Sequence, residues 1–185
     1  MGEANRIHSR VRWMTRTGLL VALLVALQWG TAGTQAYAGQ YITGSCVNCV
    51  LAIAALFGGV WSGIAVAVLS PFCAFLLGIG PKLIQIVPCI AVGNTVFDLC
   101  LHFLMGRKVC AVWQRACMLI VSALAKFAVL YAAVVLVLIP VMGDALAPKQ
   151  AQTFTVMFSW PQLATALLGG TAALLILPLL RKAVK

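Results

Sequence analysis

The sequence predicts an all-helical membrane protein with six transmembrane helices and both termini in the cytoplasm, and three observations carry that expectation. First, the 185 residues are 63% hydrophobic and only 9% charged, with a mean hydropathy of +1.07, whereas a water-soluble globule carries about a quarter charged residues. Second, apolar runs recur along the chain between glycine, proline and basic punctuation. At roughly 20 residues per span, six spans take about 120 residues and leave no room for a separate soluble domain. Third, 13 lysines and arginines oppose three acids. In a soluble protein that balance points to nucleic acid; here the placement of the bases follows membrane orientation, and no nucleic-acid partner is expected.

The elements follow in order. Residues 1–17 form a basic cytoplasmic tail carrying Arg6, Arg10, Arg12 and Arg16, and the apolar run 18–27 begins the first helix. The other reading of this stretch is a signal peptide, with Ala36-Tyr37-Ala38 as its small-residue cleavage site. The second helix runs from Tyr41 to the pair Gly58-Gly59, whose backbone freedom breaks helices. The third covers 60–78 with Pro71 inside, and Gly80-Pro81 marks a turn. The fourth covers 83–105. A long apolar run over 110–140 follows, of which 117–140 is the spanning part, and residues 143–152 form a polar connection. The sixth helix starts at Trp160-Pro161, where proline suits the first helical turn. Residues 18–180 are thus the membrane domain and 181–185 a basic cytoplasmic tail.

Cytoplasmic loops retain lysine and arginine, which tests the threading. Six spans place ten bases inside: four in the first tail, then Arg107, Lys108, Arg115, Arg181, Lys182 and Lys185. Only Lys82 and Lys149 fall outside, and Lys126 lies within a helix. Five or seven spans destroy the asymmetry.

An ionisable group at the centre of the hydrocarbon costs roughly 2.5–3.5 kcal/mol by insertion scales, which singles out Asp98 and Lys126. Asn94, Asp98 and His102 recur every four residues and share one helix face. Lys126 lies about 15 Å into the membrane from Arg115 at the helical rise. Two readings stand side by side. Either Asp98 and Lys126 form a structural ion pair, or Lys126 offers its charge to an anionic or carboxylate-bearing substrate while Asn94 supplies hydrogen bonds. His102 falls near the inner end of its helix and is expected to reach interfacial water. A single histidine without thiol or carboxylate neighbours at ligand spacing makes no metal site, and neither metal nor cofactor is expected.

On the first helix Ala22 and Ala26 stack on one face between Leu19, Leu23 and Leu27, and small residues at that spacing let a second helix approach closely. With Val47-Asn48, the run Gly58-Gly59-Val60-Trp61-Ser62-Gly63, Ser70-Pro71-Phe72, Leu76-Leu77-Gly78, Val87-Pro88-Cys89-Ile90, Gly93-Asn94, Pro161-Gln162-Leu163 and Gly169-Gly170, the chain resembles the substrate-binding S component of energy-coupling factor (ECF) transporters over nearly its whole length. The resemblance implies a cell-membrane protein that binds a vitamin or related micronutrient. It implies as partners a transmembrane T component, docked on Ala22 and Ala26, and two cytoplasmic ATPases. It further implies a pocket near the outer face, with Asn48, Gln85, Asn94, Lys126 and Gln162 as contacts and Trp160, Tyr41 and Tyr131 as flat surfaces for a ring.

No G-x-x-x-x-G-K-[ST] loop is present to cradle phosphates, so the chain is expected not to be an enzyme, and energy must come from another subunit. Two alternatives stand beside this reading: a small stand-alone secondary carrier, and a membrane thiol–disulfide oxidoreductase using the C-x-x-C of Cys46 and Cys49. The remaining five cysteines are scattered and read as small apolar residues.

Overall fold

The computed structural model describes residues 2–32, 39–80, 83–105 and 111–183, and every regular element among them is a helix. Helix α1 (Gly2–Thr31) absorbs the basic flank as well as the apolar run, since no proline interrupts residues 2–17. Helix α2 (Gly39–Ile53) widens into a π turn, Ala54–Gly58. Gly59 at φ +88° then reverses the chain, a backbone angle that side chains resist. Helix α3 (Val60–Leu76) keeps Pro71 inside, and α4 (Ile86–Met105) follows. Helix α5 (Val112–Leu130) continues through a π stretch, Tyr131–Leu138, into α6 (Ile139–Met142) as one rod. The last helix, α8, is Trp160–Ala183.

Between the rod and α8 the expected polar connection is partly a helix, α7 (Pro148–Met157). Its start is set by Pro148, which needs no amide partner in a first turn. Five helical stretches are long and apolar enough to cross a membrane, while Val60–Leu76 is apolar but shorter. Its 17 residues reach roughly 25 Å at the helical rise, against a hydrocarbon core of about 30 Å. Large apolar side chains such as Leu76 and Val112 point outward around the bundle, as they do on a lipid-facing surface.

The six long helices close a ring in the order α1, α2, α8, α5, α4, α3, each packed on the next. Successive helices alternate in direction, so α1, α3 and α5 end where α2, α4 and α8 begin. The main core runs through the middle, from Leu24 and Leu51 to Phe97, Leu101, Leu119 and Ala166. A smaller cluster of Ile86, Leu130, Val134 and Phe158 sits beneath α7.

The basic residues gather at the end opposite α7. There the π turn of α2 presents carbonyl groups that a regular helix would have occupied. His102 Nδ1 lies 2.9 Å from the Ala55 carbonyl, Arg181 donates to the Leu56 carbonyl at 3.3 Å, and the Arg16 guanidinium stands 5.3 Å from the Phe57 ring centroid. His102, half-buried, therefore meets a backbone carbonyl within the bundle through Nδ1. The side chains of Arg6, Lys82, Arg107, Lys108 and Lys185, and the 36–38 segment, lie outside the described residues.

Candidate functional site

Where α2, α4 and α8 begin, a cavity of about 620 Å³ opens between the helices, within the range of small-molecule sites. Among the described residues Lys126 is the one charged side chain on its wall. Lys126, Asn48 and Asn94 are each only 2% exposed. The ammonium donates to Asn48 Oδ1 at 2.5 Å and to Asn94 Oδ1 at 2.7 Å, and it lies 5.4 Å from the Phe97 ring centroid. Asn48 is itself fixed: its amide nitrogen donates to the Gly44 carbonyl at 2.8 Å and to Thr165 Oγ1 at 3.3 Å. Both amide oxygens are thereby turned toward the lysine, and two acceptors offset part of the cost of burying its charge.

The Asp98–Lys126 ion pair does not form. Among the described residues both carboxyl oxygens of Asp98 are buried without a hydrogen-bond partner, and Lys126 gives its hydrogen bonds to two asparagines instead. Position along α4 explains it. Asn94 lies one turn nearer the cavity and intercepts the ammonium, while Asp98 packs against α3, with Oδ2 3.2 Å from where a Cβ on Gly63 would stand.

The opposite wall belongs to α1 and α3. Gln28, 6% exposed, and Ser70, 1% exposed, face each other with Gln28 Nε2 donating to Ser70 Oγ at 3.4 Å. Gln28 Oε1 has no partner. Pro71 and Phe75 add apolar surface on α3.

Helix α7 closes the open end. Gln150, Thr153, Phe154 and Met157 all line the cavity, and their spacing puts them on one helix face. The helix is latched at its last turn, where the Met157 carbonyl accepts from Gln40 at 3.0 Å and from Gln162 at 3.2 Å.

Of the residues expected at the site, the cavity brings together Asn48, Asn94, Lys126 and Gln162. It excludes Gln85 and Trp160. On α4 the wall is made by Val87, Ile90 and Asn94, and on α8 by Gln162 and Thr165. Trp160 lies two residues before Gln162, about 200° around a helix of 100° per residue, and Gln85 precedes α4, in the turn that leads into it. Gln85 is accordingly exposed. Trp160 is 62% exposed and packs on Tyr41 with centroids 5.7 Å apart. Tyr131 packs on Phe127 and also lies off the wall. Sequence reasoning passed over Gln28, Ser70 and the whole face of α7. A glutamine within an apolar run and polar residues at positions 150 and 153 were the available signals.

Ala22 and Ala26 are exposed on the outer face of α1, beside Leu19 at 65% and Leu23 at 48% exposure, while Leu24 and Gln28 occupy its buried face. Cys46 and Cys49 are partly buried free thiols on α2, off the cavity wall. Compared with known proteins, the chain matches no family model, no curated protein and no solved structure.

Proposed function

We propose that this protein is a membrane-embedded substrate-binding subunit of the ECF S-component type, taking up a vitamin or related small polar micronutrient. In this reading six helices cross the cell membrane with both termini cytoplasmic, and the cavity faces outward. The observation that carries the reading is the lysine held by two asparagines in the wall of a 620 Å³ cavity. A charge kept inside an apolar bundle is costly, and a site for a polar solute gives it a use. The gathering of Arg10, Arg12, Arg16, Arg115, Arg181 and Lys182 at the end away from the cavity supports the orientation. The outward groove at Ala22 and Ala26 supports docking of a transmembrane T component. Lacking a phosphate-binding loop, the chain draws energy from two cytoplasmic ATPases in that complex.

Coexpression with a T component and the ATPase pair tests the proposal. Ala22→Trp is expected to leave the thermal unfolding of the isolated protein unchanged and to lower recovery of the complex at least about tenfold, since a bulky side chain at a close helix contact prevents approach. Equal recovery of the variant removes α1 as the docking face.

A further inference from the structure

We infer that the cavity takes a small organic monocarboxylate bearing a neutral N–H or O–H donor at its far end; the inference rests on the substrate-binding reading and names the chemistry of that substrate. It follows from hydrogen-bonding capacity left unused at two opposite walls.

The first wall is cationic. An ammonium has three N–H donors. Two go to Asn48 and Asn94, and among the described residues the third has no hydrogen-bond acceptor. The amide nitrogen of Asn94, whose oxygen faces the lysine, likewise has no acceptor among the described residues. One ammonium hydrogen and the adjacent amide group match the two oxygens of a carboxylate, and charge assistance makes such bonds the strong ones.

The count also limits the ligand's charge. Among the described residues no arginine and no second lysine lines the cavity, so a phosphate ester, with up to two charges and more acceptors, exceeds what those residues offer. Asp98 does not compete for the ammonium: it stands off the wall against α3 and among the described residues has no hydrogen-bond partner, so the ammonium's remaining donor is left for the ligand. Among the described residues a cationic ligand meets the charge of Lys126 and no acid on the wall.

The second wall supplies an acceptor. Gln28 is a cavity residue 94% removed from solvent, and among the described residues its Oε1 has no partner. Buried polar atoms are almost always hydrogen-bonded, so an orphaned acceptor beside an internal cavity marks where a donor belongs. Its own amide nitrogen is spent on Ser70 at 3.4 Å. Helix α1 stands across the ring from α5, so Gln28 and Lys126 address opposite ends of one occupant. Phe75, Phe158 and Val87 fit an apolar or ring-shaped middle.

The test uses the full-length protein in lipid nanodiscs. A metabolite extract is split by ion exchange into anionic, neutral and cationic pools, and each is incubated with the protein. What survives gel filtration is identified by mass spectrometry. The expected result is a compound from the anionic pool with one carboxylate and at least one N–H or O–H. Its affinity is expected to fall about 10- to 100-fold with Lys126→Gln and about 5- to 20-fold with Gln28→Leu. A retained neutral compound, cation or phosphate ester overturns the inference while leaving the binding reading intact, as does an unchanged affinity in either variant. Retention of nothing from any pool counts against the binding reading itself. Should Lys126→Gln fail to fold, the identity of the wild-type compound and the Gln28→Leu affinity still decide.

Discussion

His102 shows how a single side chain can repair a helix end. The π turn at Ala54–Gly58 leaves the Ala55 carbonyl at the end of a helix, and the imidazole Nδ1 meets it at 2.9 Å. Because a carbonyl only accepts, Nδ1 carries the hydrogen and the tautomer is fixed by its partner. His102→Phe keeps a ring of similar size and removes the donor. Leaving a buried acceptor unmet costs about 1–3 kcal/mol, so the thermal midpoint in nanodiscs is expected to fall, while ligand affinity holds because the histidine lies at the end away from the cavity. An unmoved midpoint would show that water or a neighbour serves the Ala55 carbonyl instead. The stripe of Asn94, Asp98 and His102 was legible as a spacing of four. What each residue touches was not, because the partners lie on α5, α3 and α2 and depend on the order of helices around the ring, which no local pattern encodes.

At the scale of elements, the approach of α8 to α2 decides whether the lysine site exists. Gly169 lies so near α2 that an added Cβ would fall on the Ser45 carbonyl oxygen, and it would stand 2.8 Å from the Cys49 nitrogen and 2.7 Å from Asn48 Cβ. Backbone atoms cannot swing aside as a long side chain does. Gly169→Ala must therefore push the two helices apart, drawing Asn48 away from Thr165 and from Lys126. Overpacking of this kind costs about 1–3 kcal/mol. The variant is expected to unfold at lower temperature and to lose ligand affinity together, whereas Gly30→Ala, with nothing within 4 Å of its added carbon, changes neither. Parallel loss of both properties is the signature; loss of stability alone would separate the helix contact from the site. The pair Gly169-Gly170 was visible in the sequence, although its neighbour was not. Helix α7 was passed over for a different reason: its ten residues carry too few apolar side chains to read as a span. The spacing of Gln150, Thr153, Phe154 and Met157 nonetheless describes a helix with one face turned to a cavity.

For the whole molecule, the two ends of the bundle differ in chemistry, and that difference bears on the proposed orientation of the cavity. Arg16 near the start of the chain and Arg181 near its end both reach the same π turn, at Phe57 and Leu56. The first and last helices therefore have these basic ends together, which requires an even number of traverses between them. Five helices alone meet the length and hydropathy expected of a span; the proposed orientation, with both basic ends cytoplasmic, has α3 cross as the sixth despite its 17 residues. A short helix is accommodated by local thinning of the bilayer at a fraction of a kcal/mol per Å of mismatch. The sequence suggested this threading through the spacing of its bases, and the contacts of Arg16 and Arg181 bring the two basic helix ends together. Reporter fusions test the direction. A green fluorescent protein joined after Lys185 is expected to fluoresce, and an alkaline phosphatase joined after Lys149, beside α7 and the cavity, is expected to be active outside the cytoplasm. The reverse pattern would turn the cavity toward the cytoplasm and overturn the proposed role in uptake.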